Sequence, residues 1–190
     1  MTQRPALKLV DGGRETAAEW LWFCGHCAAP APNGAPPPTA RVCPSCGLGL
    51  LLEAREDAVP GLRNAFLVVD STLLVQAMSR EAQGLLGVTE ELAINRPVVE
   101  LLVPADAEAQ GRGSFAGVIA QAAEGEDAEP ARAYVRPWNT FGVRMRAKIA
   151  TCGPPRAALI VLENGRPPAL RAVGSREVAP ERIASRHRRR

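Results

Sequence analysis

The stretch Phe141-Gly142-Val143-Arg144-Met145-Arg146-Ala147-Lys148-Ile149-Ala150 alternates strictly between two kinds of side chain. A period of two is the signature of an extended strand with one face toward a core. Phe141, Val143, Met145, Ala147 and Ile149 then share an apolar face, and Arg144, Arg146 and Lys148 a cationic one. The pattern predicts a strand over 140–150 in a sheet buried on one side only. Residues 131–136 and 156–163 read as strands on either side of it in the chain. Thr151-Cys152-Gly153-Pro154-Pro155 reads as the turn before the last of them, with Cys152 a bystander thiol.

Upstream, Ala65-Phe66-Leu67-Val68-Val69 is an apolar run that stops at Asp70-Ser71, and Leu73-Leu74-Val75 follows, as in a hairpin. Ser79 offers an N-cap for a helix through Leu86 that Gly87 can end in the left-handed conformation. Thr89 can cap a short helix through Leu92, and Pro97 opens another over 98–102. Phe115, Val118, Ile119 and Ala122 follow helical spacing inside a longer helix over 106–123. The order is strand, strand, short helices, helix, strand, strand, strand, an α+β pattern.

Four of the five cysteines lie ahead of this module as two close pairs, Cys24-Gly25-His26-Cys27 and Cys43-Pro44-Ser45-Cys46. Two residues between ligands let a tight turn aim both sulfurs at one ion, and 15 intervening residues fit a four-thiolate zinc site. Such a site is closed, so the zinc it implies is structural rather than catalytic. Iron can occupy the same four-sulfur cage, and the spacing leaves the metal's identity open. Paired disulfides and a redox-active Cys24/Cys27 dithiol are the rival readings. The prolines at 30, 32 and 36–38 oppose the helix that a redox dithiol needs after it. His26 is expected as an exposed turn residue. Trp20-Leu21-Trp22-Phe23 and Leu48-Gly49-Leu50-Leu51-Leu52 read as short strands beside the pairs. The expected divisions are a zinc ribbon over 1–52, a linker over 53–62, the α+β module over 63–163 and a basic, disordered tail over 164–190.

The module at 63–163 resembles a PAS domain. Ala65-Phe66-Leu67-Val68-Val69-Asp70, Ser79-Arg80-Glu81-Ala82-Gln83-Gly84-Leu85-Leu86-Gly87, Glu90-Glu91-Leu92 and Glu100-Leu101-Leu102-Val103-Pro104-Ala105-Asp106 carry the resemblance. Ser79 departs from the asparagine the family often has there. The resemblance implies a five-stranded antiparallel sheet with flanking helices, used for sensing a small ligand or for self-association and partner binding. Phe66, Val68, Phe115, Ile119, Tyr134, Val143 and Met145 are the inward-facing candidates for such a pocket; a filled core uses the same residues. The module contains no histidine and no cysteine on a helix, which disfavours histidine-ligated haem and photochemical flavin adducts.

Charge is uneven. Residues 1–163 hold 15 Lys or Arg against 18 Asp or Glu, whereas 164–190 hold 8 Arg against 2 Glu. The tail, ending Arg188-Arg189-Arg190, suits nucleic acid or another polyanion, and Arg144, Arg146 and Lys148, extended by Arg136, suit an anionic partner or simply solvent. No run is long and apolar enough to span a membrane, so a cytoplasmic location is the expectation. The residues offer no histidine-supported nucleophile, phosphate-cradling glycine loop or open metal site. A non-enzymatic sensor or adaptor is therefore expected, with a nucleic-acid-binding regulator that uses the tail as the alternative.

Overall fold

The computed structural model describes residues 19–32, 36, 40–105, 114–125 and 129–163. The basic tail over 164–190, with Arg188, Arg189 and Arg190, lies outside the described residues. Strands β1 (Trp20–Cys24) and β2 (Leu51–Arg55) pair antiparallel near the cysteines. They are followed by β3 (Ala65–Val69), β4 (Val75–Met78), α1 (Arg80–Leu86), α2 (Glu90–Ala93), a 3-10 turn (Val98–Glu100) and β5 (Leu102–Pro104). Helix α3 (Phe115–Glu124) and strands β6 (Ala131–Pro137), β7 (Met145–Gly153) and β8 (Ala157–Glu163) complete the described elements.

One antiparallel sheet holds all of these strands, in the order β1-β2-β7-β8-β3-β4, with β6 beside β7 and β5 beside β6. The long strand β7 makes this branching possible. Its first half pairs with β6, from Ala131↔Ile149 to Val135↔Met145, and its end pairs with β2 through Ala54↔Cys152. Helices and sheet are thus joined in an antiparallel α+β fold, as the element order predicts.

Local signals account for α1 and α3, whereas Thr89 precedes α2 without a side-chain cap hydrogen bond. The Ser79 hydroxyl accepts the Ala82 N–H at 3.1 Å, and Gly87 ends α1 with φ 66°. Ser114 caps α3 through the Gly117 N–H at 3.1 Å; the expected first half of that helix, 106–113, lies outside the described residues. Leu73, with φ 67°, belongs to the β3–β4 turn rather than to a strand. The 98–102 segment is only one 3-10 turn, because Leu102 joins β5 and pairs with Pro137.

The sheet is not buried on one side only. Leu67, Val69, Met145, Ala147, Ile149, Ile160 and Leu162 pack under α1 and α3. On the opposite face Phe66, Val68, Cys152, Ala157, Leu159 and Val161 pack against Phe23, Leu52 and Ala54. Phe23 and Phe66 meet edge to face, ring centroids 5.9 Å apart. Consequently β3 is buried at every position, consistent with its unbroken apolar run. Three expectations change with this. Glu53–Arg55 form part of β2 instead of a joint, β7 runs on through the expected turn to Gly153, and Cys152 is a core residue 1% exposed. Burial pushes its thiol pKa up to about 12, since a thiolate there would lack solvation.

Candidate metal centre

The two cysteine pairs sit on two tight turns. Gly25, His26 and Cys27 turn directly out of β1, and the Gly25 N–H bonds the Leu50 carbonyl of the opposing turn at 2.8 Å. The second turn closes through Gly47 N–H to Cys43 O at 2.9 Å, and Gly47 takes φ 68°. Gly49 lies where the turns touch: a Cβ there would overlap Cys24 Sγ and His26 Cβ, so only glycine fits.

Sulfur geometry follows from this arrangement. The Sγ atoms of Cys24, Cys27, Cys43 and Cys46 all lie within 4.8 Å of one another. Cys24 and Cys46 are 3.7 Å apart and Cys27 and Cys43 3.9 Å. With metal–sulfur bonds of about 2.3 Å, tetrahedral sulfurs stand about 3.8 Å apart. These separations are far longer than the roughly 2.05 Å of a disulfide bond. Backbone N–H groups converge on the sulfurs, as thiolates require. His26 and Cys27 donate to Cys24 Sγ at 3.3 and 3.4 Å, and Gly49 donates to Cys46 Sγ at 3.5 Å. Burial raises the Cys24 and Cys27 thiols. At Cys46 burial is the largest single influence and raises the thiol, but the Gly49 and Leu48 N–H groups and the neighbouring thiols together outweigh it and lower its pKa to about 6. The four residues fit a metal ion, whose charge would offset the cost of bringing thiolates together, and they leave no coordination position open. No helix follows Cys27; Ala28 takes φ 59° and the chain returns to pair Pro30 with Phe23.

His26 departs from expectation. It is only 8% exposed, and its Nδ1 lies 3.0 Å from Glu90 Oε2. The other oxygen of Glu90 accepts the Met78 N–H at 3.0 Å, and the Arg80 N–H reaches the His26 carbonyl at 3.2 Å. The first knuckle is therefore bonded to the start of both α1 and α2, and Glu90 links it onward to the end of β4. Nothing in the sequence between residues 24 and 46 signals this, because the partner lies 64 residues away.

No family model matches the chain, and no curated protein matches it. Among solved structures it is similar to the PAS domain of a protein from Colwellia psychrerythraea, at 20% identity and a TM-score of 0.36, over 53% of this chain and 84% of that one.

The pocket candidates do not converge. Phe115, Ile119 and Met145 lie in the core between helices and sheet, whereas Phe66 and Val68 point through the sheet toward Phe23 and Leu52. Tyr134 and Val143 are 43% and 39% exposed and face outward. Tyr134 is exposed by the alternation along β6, whereas Val143 lies ahead of β7: Gly142 adopts φ 74°, and β7 begins only at Met145, which breaks the alternation that would have turned Val143 and Phe141 inward. A cleft of about 80 Å³ opens between α3 and the sheet, lined by Val118, Gln121, Ala122, Glu129, Ile149 and Thr151. Arg144 and Arg146 are exposed beside Tyr134; Lys148 is half-buried, its Nζ donating to the Asp57 carbonyl at 2.7 Å.

Proposed function

We propose that this chain is a non-enzymatic regulatory adaptor, a PAS-type module carrying structural zinc. Strands β4-β3-β8-β7-β6, crossed by α3, supply the five-stranded antiparallel sheet that this reading needs. Of its two modes, ligand sensing and partner binding, partner binding has the better support. Among the described residues the space between sheet and helices is packed with side chains, and the 80 Å³ cleft is well below the roughly 300 Å³ of an ordinary small-molecule site. The observation that carries the reading is on the knuckles. Val42, Leu48 and Leu50 are 56%, 72% and 54% exposed, held outward by the second cysteine turn. A closed metal site that displays apolar side chains serves a contact surface rather than a reaction.

Native mass spectrometry of the purified full chain, with an absorption spectrum, tests this directly. The expected result is one zinc ion per chain, no thiolate-to-iron colour, and a saturable self-assembly or stoichiometric partner complex. Leu48→Ser with Leu50→Ser should weaken that complex while leaving the metal bound. A chain that keeps its metal yet stays monomeric and carries no stoichiometric partner would contradict the adaptor reading.

A further inference from the structure

The β6–β7 hairpin presents a surface that the adaptor reading does not use. The chain has four Phe, three Trp and one Tyr. Phe23 and Phe66 are fully buried, yet Trp138, Phe141 and Tyr134 stand 60%, 82% and 43% exposed on this one hairpin. They are interleaved with cations. Arg132, Tyr134 and Arg136 alternate outward along β6, and the register sets Arg132 opposite Lys148 and Tyr134 opposite Arg146. The Arg144 guanidinium lies 3.7 Å over the Tyr134 ring, and that of Arg136 lies 4.9 Å over Phe141.

The loop that carries the aromatic tips is bonded to Arg136. Arg136 Nη1 donates to the carbonyls of Pro137, Trp138 and Thr140 at 3.4, 3.2 and 3.4 Å, which holds the loop with Trp138 and Phe141 projecting. Glu163 pairs with Arg146 at 3.4 Å and Lys148 at 3.8 Å. The balance on this face still favours positive charge, from Arg132, Arg136, Arg144, Arg146 and Lys148.

Charge decides the occupant. A second copy of the same face would set like charges together, and the chain's own arginine-rich end has the same sign. An anionic polymer complements the cations, and exposed planar rings among them match unpaired bases, which stack on aromatic side chains while Arg and Lys follow the phosphates. Paired bases would leave the rings unused. We propose that the β6–β7 hairpin is a binding site for single-stranded nucleic acid, with Trp138 and Phe141 stacking bases and Arg132, Arg144 and Arg146 contacting phosphates. This site is independent of the adaptor reading and of the tail.

The test is fluorescence anisotropy with the full metal-loaded chain and a labelled oligothymidylate of about a dozen nucleotides. Binding should saturate, weaken between about 50 mM and about 200 mM salt, and quench tryptophan emission. Trp138→Ala with Phe141→Ala should lower affinity about tenfold or more, whereas Trp138→Phe with Phe141→Tyr should retain it. Arg144→Gln with Arg146→Gln should reduce the salt dependence by about two charges. Circular dichroism melting checks that each variant folds. Absence of binding at low salt overturns the proposal. So does full affinity in the Trp138→Ala/Phe141→Ala chain combined with loss on replacing Arg188, Arg189 and Arg190 by Ala, which assigns binding to the tail. Displacement by oligoglutamate as effective as by oligothymidylate also overturns it, in favour of an acidic protein segment.

Discussion

Ser79 shows how much one buried hydroxyl can organise. It is fully buried, caps α1 through Ala82, and also accepts the Phe66 N–H of β3 at 2.9 Å while its own N–H bonds the Phe66 carbonyl at 3.0 Å. Ser79→Ala strands two backbone donors and should cost about 2 kcal/mol, read as a lower denaturant midpoint at unchanged slope. An unchanged midpoint would mean that these donors find other partners. The capping role was legible in the sequence because it depends on neighbours three residues away. The bond to β3 was not, since it spans 13 residues and a second element. His26 sits at the far end of that scale: a polar residue in a knuckle reads as exposed until Glu90 is known to meet it.

At the scale of elements, the β3–β4 hairpin depends on Asp70. Its Oδ1 accepts the Thr72 N–H at 2.9 Å, the Thr72 hydroxyl at 2.7 Å and the Leu74 N–H at 3.0 Å, and its Oδ2 accepts from Gln76 Nε2 at 2.7 Å. Burial alone would raise the carboxyl's pKa, but these donors outweigh it and bring it below the usual value. A lowered folded-state pKa stabilises the protein above the ordinary carboxyl value, and this contribution is lost as pH falls through the folded value. Asp70→Asn should therefore flatten the fall in stability below about pH 5, measured by urea unfolding at each pH. An equally steep fall in the variant would place the acid sensitivity elsewhere. The same scale explains the misread ends of β7. Alternation from Phe141 to Ala150 identifies a strand, but Gly142 and the Arg136 bonds to the loop carbonyls end its pairing at Met145, and pairing with Ala54 extends it past Cys152. Local pattern reports which residues suit a strand; register is settled by partners elsewhere in the chain.

At the scale of the molecule, the cysteine turns and the α+β module share one sheet. Among the described residues they are joined by β2 on β7, by the His26–Glu90 contact, by the Arg80 N–H on the His26 carbonyl and by Arg41 Nη1 on the Pro154 carbonyl, on a face closed by Phe23, Phe66, Leu52 and Leu159. Both halves were legible separately, one from cysteine spacing and the other from strand and helix order. Their union was not, because its contacts are non-local and involve residues such as Ala54 and Cys152 that carry no motif. A metal held by the four cysteines, as proposed, would support the whole unit, and hydrogen–deuterium exchange of the full chain before and after chelation tests this most directly. Chelation should raise exchange in β1 and β2 and also at the end of β7 and the start of α1 and α2. Faster exchange confined to residues 20–55 would contradict it.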